Sequence, residues 1–110
     1  MRTDRNQQLG DLLKNEAAKF LSQESNRTSM ITVTNIDITP DGKRATVFFT
    51  VLPVEQEAAA LDFAKRKRGE FLGHVRANTR VARIPFFEFA IDGGEKNRQH
   101  IDKLSIQANQ

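Results

Sequence analysis

Residues 30–52 read MITVTNIDITPDGKRATVFFTVL, and the alternation of side-chain types along them decides the architecture of the rest. Two runs rich in β-branched and aromatic residues, Met30 to Ile38 and Ala45 to Leu52, flank Thr39-Pro40-Asp41-Gly42-Lys43-Arg44. A Pro-Asp-Gly sequence between such runs predicts a β-hairpin. In the first run Ile31, Val33, Ile36 and Ile38 face one side, with a slip near Asn35 that reads as a bulge, and the other face is polar. In the second, Val47, Phe48, Phe49 and Val51 leave no clean polar face. A strand flanked on both sides has that character, so the second run belongs in the centre of a sheet.

Working outward, Leu9, Leu12, Leu13, Ala17, Phe20 and Leu21 recur at spacings of three and four, which predicts an amphipathic helix from Asp4, as N-cap, to about Ser22. Gly10 interrupts it, at a propensity cost of roughly 0.5–1 kcal/mol unless something approaches the backbone there. Residues 23–29 are rich in turn formers and read as a loop. After the hairpin, the Ala-rich stretch from Val54 to Lys67 carries acids at its start and bases at its end, matching a helix dipole. Gly69 then predicts a kink, and Phe71, Leu72, Val75 and Thr79 resume the helical stripe. Ile84 to Ile91 reads as a third strand with Pro85 near its start. Beyond Glu95 the chain is polar, with Ile101, Leu104 and Ile106 as its apolar anchors and room for one short helix. The order α-β-β-α-kink-α-β describes one α+β domain, a three-stranded mixed sheet with helices on one face. The helical crossover between the second and third strands makes those two parallel.

With 110 residues and no cysteine, the chain is expected to hold one hydrophobic core in a reducing cytoplasm, without disulfides or thiolate chemistry. No run approaches the roughly 20 apolar residues that span a bilayer, so no membrane partner is expected. The net charge of +3 is unevenly spread. Residues 65–84 hold seven bases, Lys65, Arg66, Lys67, Arg68, Arg76, Arg80 and Arg83, against Glu70 alone, a balance of +6 that leaves the other 90 residues at −3. A basic face on a mildly acidic body suits a polyanion, because phosphate contacts release condensed counterions.

Catalytic signals are missing. His74 and His100 stand far apart with no spacing that would supply metal ligands, and no nucleophile elbow, phosphate-binding glycine loop or dinucleotide fingerprint occurs. Neither a metal, nor a cofactor, nor a small-molecule substrate is expected, and the chain reads as a non-enzyme. Phe48, Phe49, Phe86, Phe87 and Phe89 lie in strands and are expected in the core rather than on a base-stacking surface. What remains is the cluster Lys65-Arg66-Lys67-Arg68-Gly69 with Arg76, Arg80 and Arg83. Arg76 and Arg80, four apart, are expected on one helix face, with the Gly69 kink baring backbone for close approach. A solvated basic surface explains scattered charge but not a glycine kink set among bases. Arg2, Arg5, Lys43 and Arg44 are further RNA-contact candidates.

Arg2-x-x-Arg5, the hairpin Ile31 to Asp41 into Ala45 to Leu52, and above all Arg80-x-x-x-Ile84-Pro85-Phe86-Phe87-x-Phe89-x-x-Asp92 together carry a resemblance, from about Arg2 to Leu104, to the ribosome-binding factor A family. The resemblance implies a type II KH-like RNA-binding domain over residues 1–104, followed by a polar tail at 105–110. It implies a monomeric factor that binds the small ribosomal subunit and its rRNA in late maturation and assists rRNA processing without catalysis. The family's Ala-x-Gly helix kink falls on Lys67-Arg68-Gly69, where the glycine is kept and the alanine is not. Gly69 and Gly73 are four apart, so the Gly-x-x-Gly clamp of ordinary KH domains is absent. The alternatives are a KH-like RNA binder acting outside the ribosome and a module whose basic face meets an acidic protein.

Overall fold

Alternation in the hairpin produces its pairing. In the computed structural model, which describes residues 2–24 and 29–94 without the side chains of 2–6 and 24, β1 (Met30–Ile38) runs antiparallel to β2 (Arg44–Leu52). The register passes from Val33 opposite Phe49 to Asn35 opposite Phe48, so Thr34 is the extra residue of a bulge. Its hydroxyl turns to the Phe48 carbonyl and to the carboxylate of Asp92, just past the third strand. The turn between the strands uses Gly42 at φ 74°, a left-handed conformation that glycine adopts without strain. Asp41 braces that turn. Hydrogen bonds from the Thr39 hydroxyl and then the Lys43 N–H hold its carboxyl below the usual carboxylate range.

The third strand, β3 (Phe86–Ile91), pairs in parallel with β2, giving the order β1-β2-β3 with β2 central. It starts two residues later than its sequence suggests, because the buried Pro85 has no N–H to give the ladder. Helix α1 spans Arg2–Glu24. It therefore begins before Asp4, which lies inside the first turn rather than capping it. Gly10 is buried against β1: a Cβ there would lie 3.4 Å from Ile36 Cγ2. That distance is at the tight end of ordinary van der Waals contact, so β1 leaves room for little more than a methyl group.

A 3-10 turn at Val54–Gln56 leads into α2 (Glu57–Arg66), and α3 (Arg68–Asn78) follows directly. The break between them sits at Lys67, not at Gly69. Lys67 has φ −90° and ψ 5°, and its N–H is shared between the carbonyls of Phe63 and Ala64 at 3.1 and 3.2 Å. Gly69 lies within α3 and faces open space. The helices cover one face of the sheet. Leu13, Ala17 and Leu21 of α1, Ala60 and Ala64 of α2, and Phe71 and Val75 of α3 close over Val47, Phe49, Val51 and Phe87. Phe71 is the hub, its ring 4.6 Å from Phe87, 5.4 Å from Phe20 and 6.0 Å from Phe89 between centroids. No described helix is long and apolar enough to cross a membrane. The loop residues 25–28 and the expected helix around Ile101, Leu104 and Ile106 lie outside the described residues, as does the boundary proposed near 104.

Candidate nucleic-acid interface

The junction of α2 and α3 lies over β3, and the basic residues of the junction follow from helix periodicity. Lys65 and Arg66 end α2, Lys67 is the break, and Arg68 opens α3. Between this junction and β3 are two adjoining clefts that share Arg68 as a wall. One is lined by Lys65, Arg68, Glu88 and Phe89. The other, of about 140 Å³, is lined by Arg68, Gly69, Leu72, Pro85, Phe86 and Phe87. Arg76 continues the stripe of Gly69 and Leu72 one turn further along α3, since positions three and four apart share a helix face.

The hairpin adds a basic residue that sequence distance hides. Arg44 pairs in register with Phe86, Phe86 N–H donates to the Lys43 carbonyl at 2.8 Å, and Arg44 Nη1 lies 2.8 Å from Glu88 Oε1. The guanidinium of Arg44 lies 5.6 Å from the centre of the Phe86 ring and that of Arg68 4.5 Å from it. Parallel pairing of β2 with β3 thus brings Lys43 and Arg44 to the mouth of the groove walled by Lys65 and Arg68.

The expected shared helical face of Arg76 and Arg80 is not formed. Helix α3 ends at Asn78, and Thr79 is extended at φ −136°, its hydroxyl bonded back to the Val75 carbonyl at 2.8 Å. Arg80 and Arg83 therefore stand, both exposed, in the segment that leads into β3. The side chains of Arg2 and Arg5 lie outside the described residues. Three of the cluster's carboxylates are already engaged: Asp62 with Arg66 at 3.2 Å, Glu70 with Lys67 at 3.3 Å, and Glu88 with Arg44. Among the described residues this leaves Lys65, Arg68, Arg76, Arg80 and Arg83 without a carboxylate partner. The three pairs are solvent-exposed, so they hold their bases weakly against an incoming phosphate.

Phe48 and Phe86 depart from expectation. Phe49, Phe87 and Phe89 are core residues, but Phe48 is half-buried on the outward face of β2 and Phe86 is 49% exposed. The signal was present in the alternation of β3, in which Phe87 and Phe89 point inward and Phe86 and Glu88 outward. The adjacent Phe86-Phe87 pair masks it. His74 has a different place: its Nε2 lies 2.7 Å from Oε2 of the buried Glu16, tying α3 to α1. Among the described residues no group of three or more metal-ligating side chains converges.

The ribosome-binding factor A family model matches residues 5–105. A ribosome-binding factor A from Cupriavidus metallidurans is 30% identical over 109 residues, covering 97% of this chain and 88% of its own length. The crystal structure of ribosome-binding factor A from Thermus thermophilus superposes with a TM-score of 0.69 at 21% identity, covering 76% of this chain and 91% of its own. A homology model of the Thermus thermophilus factor, as fitted into a cryo-electron-microscopy map of a 30S complex, superposes with a TM-score of 0.66 at 21% identity, over 74% of this chain and 88% of its own. At that identity the structural likeness is one of fold.

Proposed function

The chain belongs to the ribosome-binding factor A family, and from that premise we propose that it binds the small ribosomal subunit and its rRNA during late maturation, assisting rRNA processing as a non-catalytic assembly factor. It acts in the cytoplasm as a monomer without metal or nucleotide cofactor, through one KH-like domain over residues 1–104 with a polar tail at 105–110. The cleft between α3 and β3 is the RNA face. Lys65, Arg68, Arg76, Arg80 and Arg83 make the main phosphate contacts, Arg66, Lys67, Lys43 and Arg44 reinforce them, and Gly69 keeps the cleft wall bare. Arg2 and Arg5 extend the contact from α1. One observation carries this reading: Lys65 and Arg68 of the helix junction line two adjoining clefts, and Arg44 of the hairpin meets Arg68 at the Phe86 ring on their rim, although the chain outside residues 65–84 is acidic on balance.

The test is equilibrium binding to purified immature small subunits across a salt series. Log affinity is expected to fall linearly with log salt, and Arg68→Ala and Arg76→Ala are each expected to weaken binding and lower the slope by about one unit. Asp11→Ala, on an exposed part of α1, is the control. Unchanged binding in both arginine variants, with folding intact, places the interface elsewhere.

A further inference from the structure

Phosphate recognition leaves the apolar half of the cleft unexplained. Leu72, Pro85 and Phe87 line it, Gly69 contributes no side chain, and half of the Phe86 surface stays in solvent at its rim. A phosphate gains nothing from such a floor, because an anion is costly to place against apolar walls. A flat, weakly polar group does gain. The Phe86 main chain is held by its ladder bond to Lys43 and by the buried Pro85 before it, so the ring sits on a fixed backbone.

Two guanidinium groups flank that ring, and they differ. Arg44 is anchored by Glu88 at 2.8 Å, whereas Arg68, the nearer at 4.5 Å, has no carboxylate partner among the described residues. Arg68 is therefore the cation free to lift from the ring. Guanidinium planes stack on nucleobases as readily as on aromatic rings.

We propose that Phe86 is a stacking platform for one unpaired nucleobase of the bound RNA, which enters the cleft over the ring as Arg68 swings onto the base or its phosphate. The proposal rests on reading the cleft as an RNA interface and adds a base contact to it. The cleft, at about 140 Å³, is on the scale of a single base. Phe has no hydrogen-bonding group, so the platform takes any base, with preference set by stacking strength.

The chain contains neither Trp nor Tyr, so Phe86→Trp gives a single fluorescent reporter at the site. It is titrated with a short oligoadenylate and with an abasic strand of the same length, at two salt concentrations. Oligoadenylate is expected to quench the indole and the abasic strand is not. In parallel, Phe86→Leu is expected to lose roughly 5- to 150-fold in affinity for oligoadenylate, the range for one stacked base. Its salt slope and its binding of the abasic strand should match those of the unmodified protein. Equal quenching by both strands, or a Phe86→Leu protein with unaltered oligoadenylate affinity, overturns the proposal. If Phe86→Leu does not fold, the Trp titration decides alone. A normal salt slope without base dependence removes only the stacking site, whereas salt-independent binding by the unmodified protein removes the phosphate interface as well.

Discussion

Glu16 is buried at 6% exposure with His74 Nε2 2.7 Å from its carboxylate and Lys19 Nζ at 3.7 Å. The imidazole also lies 5.5 Å from the Phe20 ring and 6.3 Å from that of Phe71, so a polar bridge between α1 and α3 is embedded in an aromatic cluster. Removing His74 leaves the buried Glu16 carboxylate, among the described residues, with the more distant Lys19 alone. His74→Ala is expected to lower the unfolding free energy by roughly 1.5–3 kcal/mol, the range for a hydrogen bond to a charged group. The apolar pair Glu16→Leu with His74→Phe is expected to recover most of it, and urea denaturation of the single and paired variants measures both. Sequence gives His74 no metal-ligating spacing and does not reveal its partner, because Glu16 stands 58 positions away and only the packing of α3 on α1 joins them. Phe86 is the converse case, since the alternation that exposes it was legible and the chemistry of the residue argued against it.

Elements were read more securely than their junctions. The bulge near Asn35, the central place of β2 and its parallel partner all follow from periodicity and connectivity. The interhelical break does not. Glycine is the residue from which sequence predicts a kink, yet the break lies at Lys67, whose φ of −90° and ψ of 5° are open to any side chain. Gly69 carries no positive φ and nothing lies within 4 Å of where its Cβ would be. Gly69→Ala is therefore expected to stabilise the fold by about 0.5–1 kcal/mol through helix propensity and leave the break in place. Chemical denaturation checks the first and backbone chemical shifts at residues 66–68 the second. The end of α3 was misread for a related reason: Thr79 fits the apolar stripe, but its hydroxyl caps the helix by bonding to Val75, which turns Arg80 off the helical face.

Across the whole molecule, one aromatic hub connects the elements. Phe71 is fully buried and touches residues of α1, α3 and β3. Phe71→Ala is expected to cost about 3–5 kcal/mol, as large-to-small changes in packed cores do. Because α3 and β3 are the two walls of the groove, RNA affinity should fall with the folded fraction rather than independently of it; thermal unfolding followed by circular dichroism, with and without RNA, checks the relation. The division into a basic groove and an acidic remainder was legible from composition alone, whereas the recruitment of Arg44 to the groove required the parallel pairing to be seen.

That pairing also orders events in time. The β1-β2 hairpin closes across a five-residue turn, 39–43, whereas β3 reaches β2 across the whole helical crossover, and contacts distant along the chain bear the greater loop-closure entropy. The groove is thus expected to form after the hairpin. A chain with its hairpin formed and β3 undocked has the charges but neither the ring of Phe86 nor a wall to hold RNA against. A ligand that binds only the completed groove draws the population of partly folded chains toward the native state by mass action, so an RNA held at the proposed interface would also select the finished form.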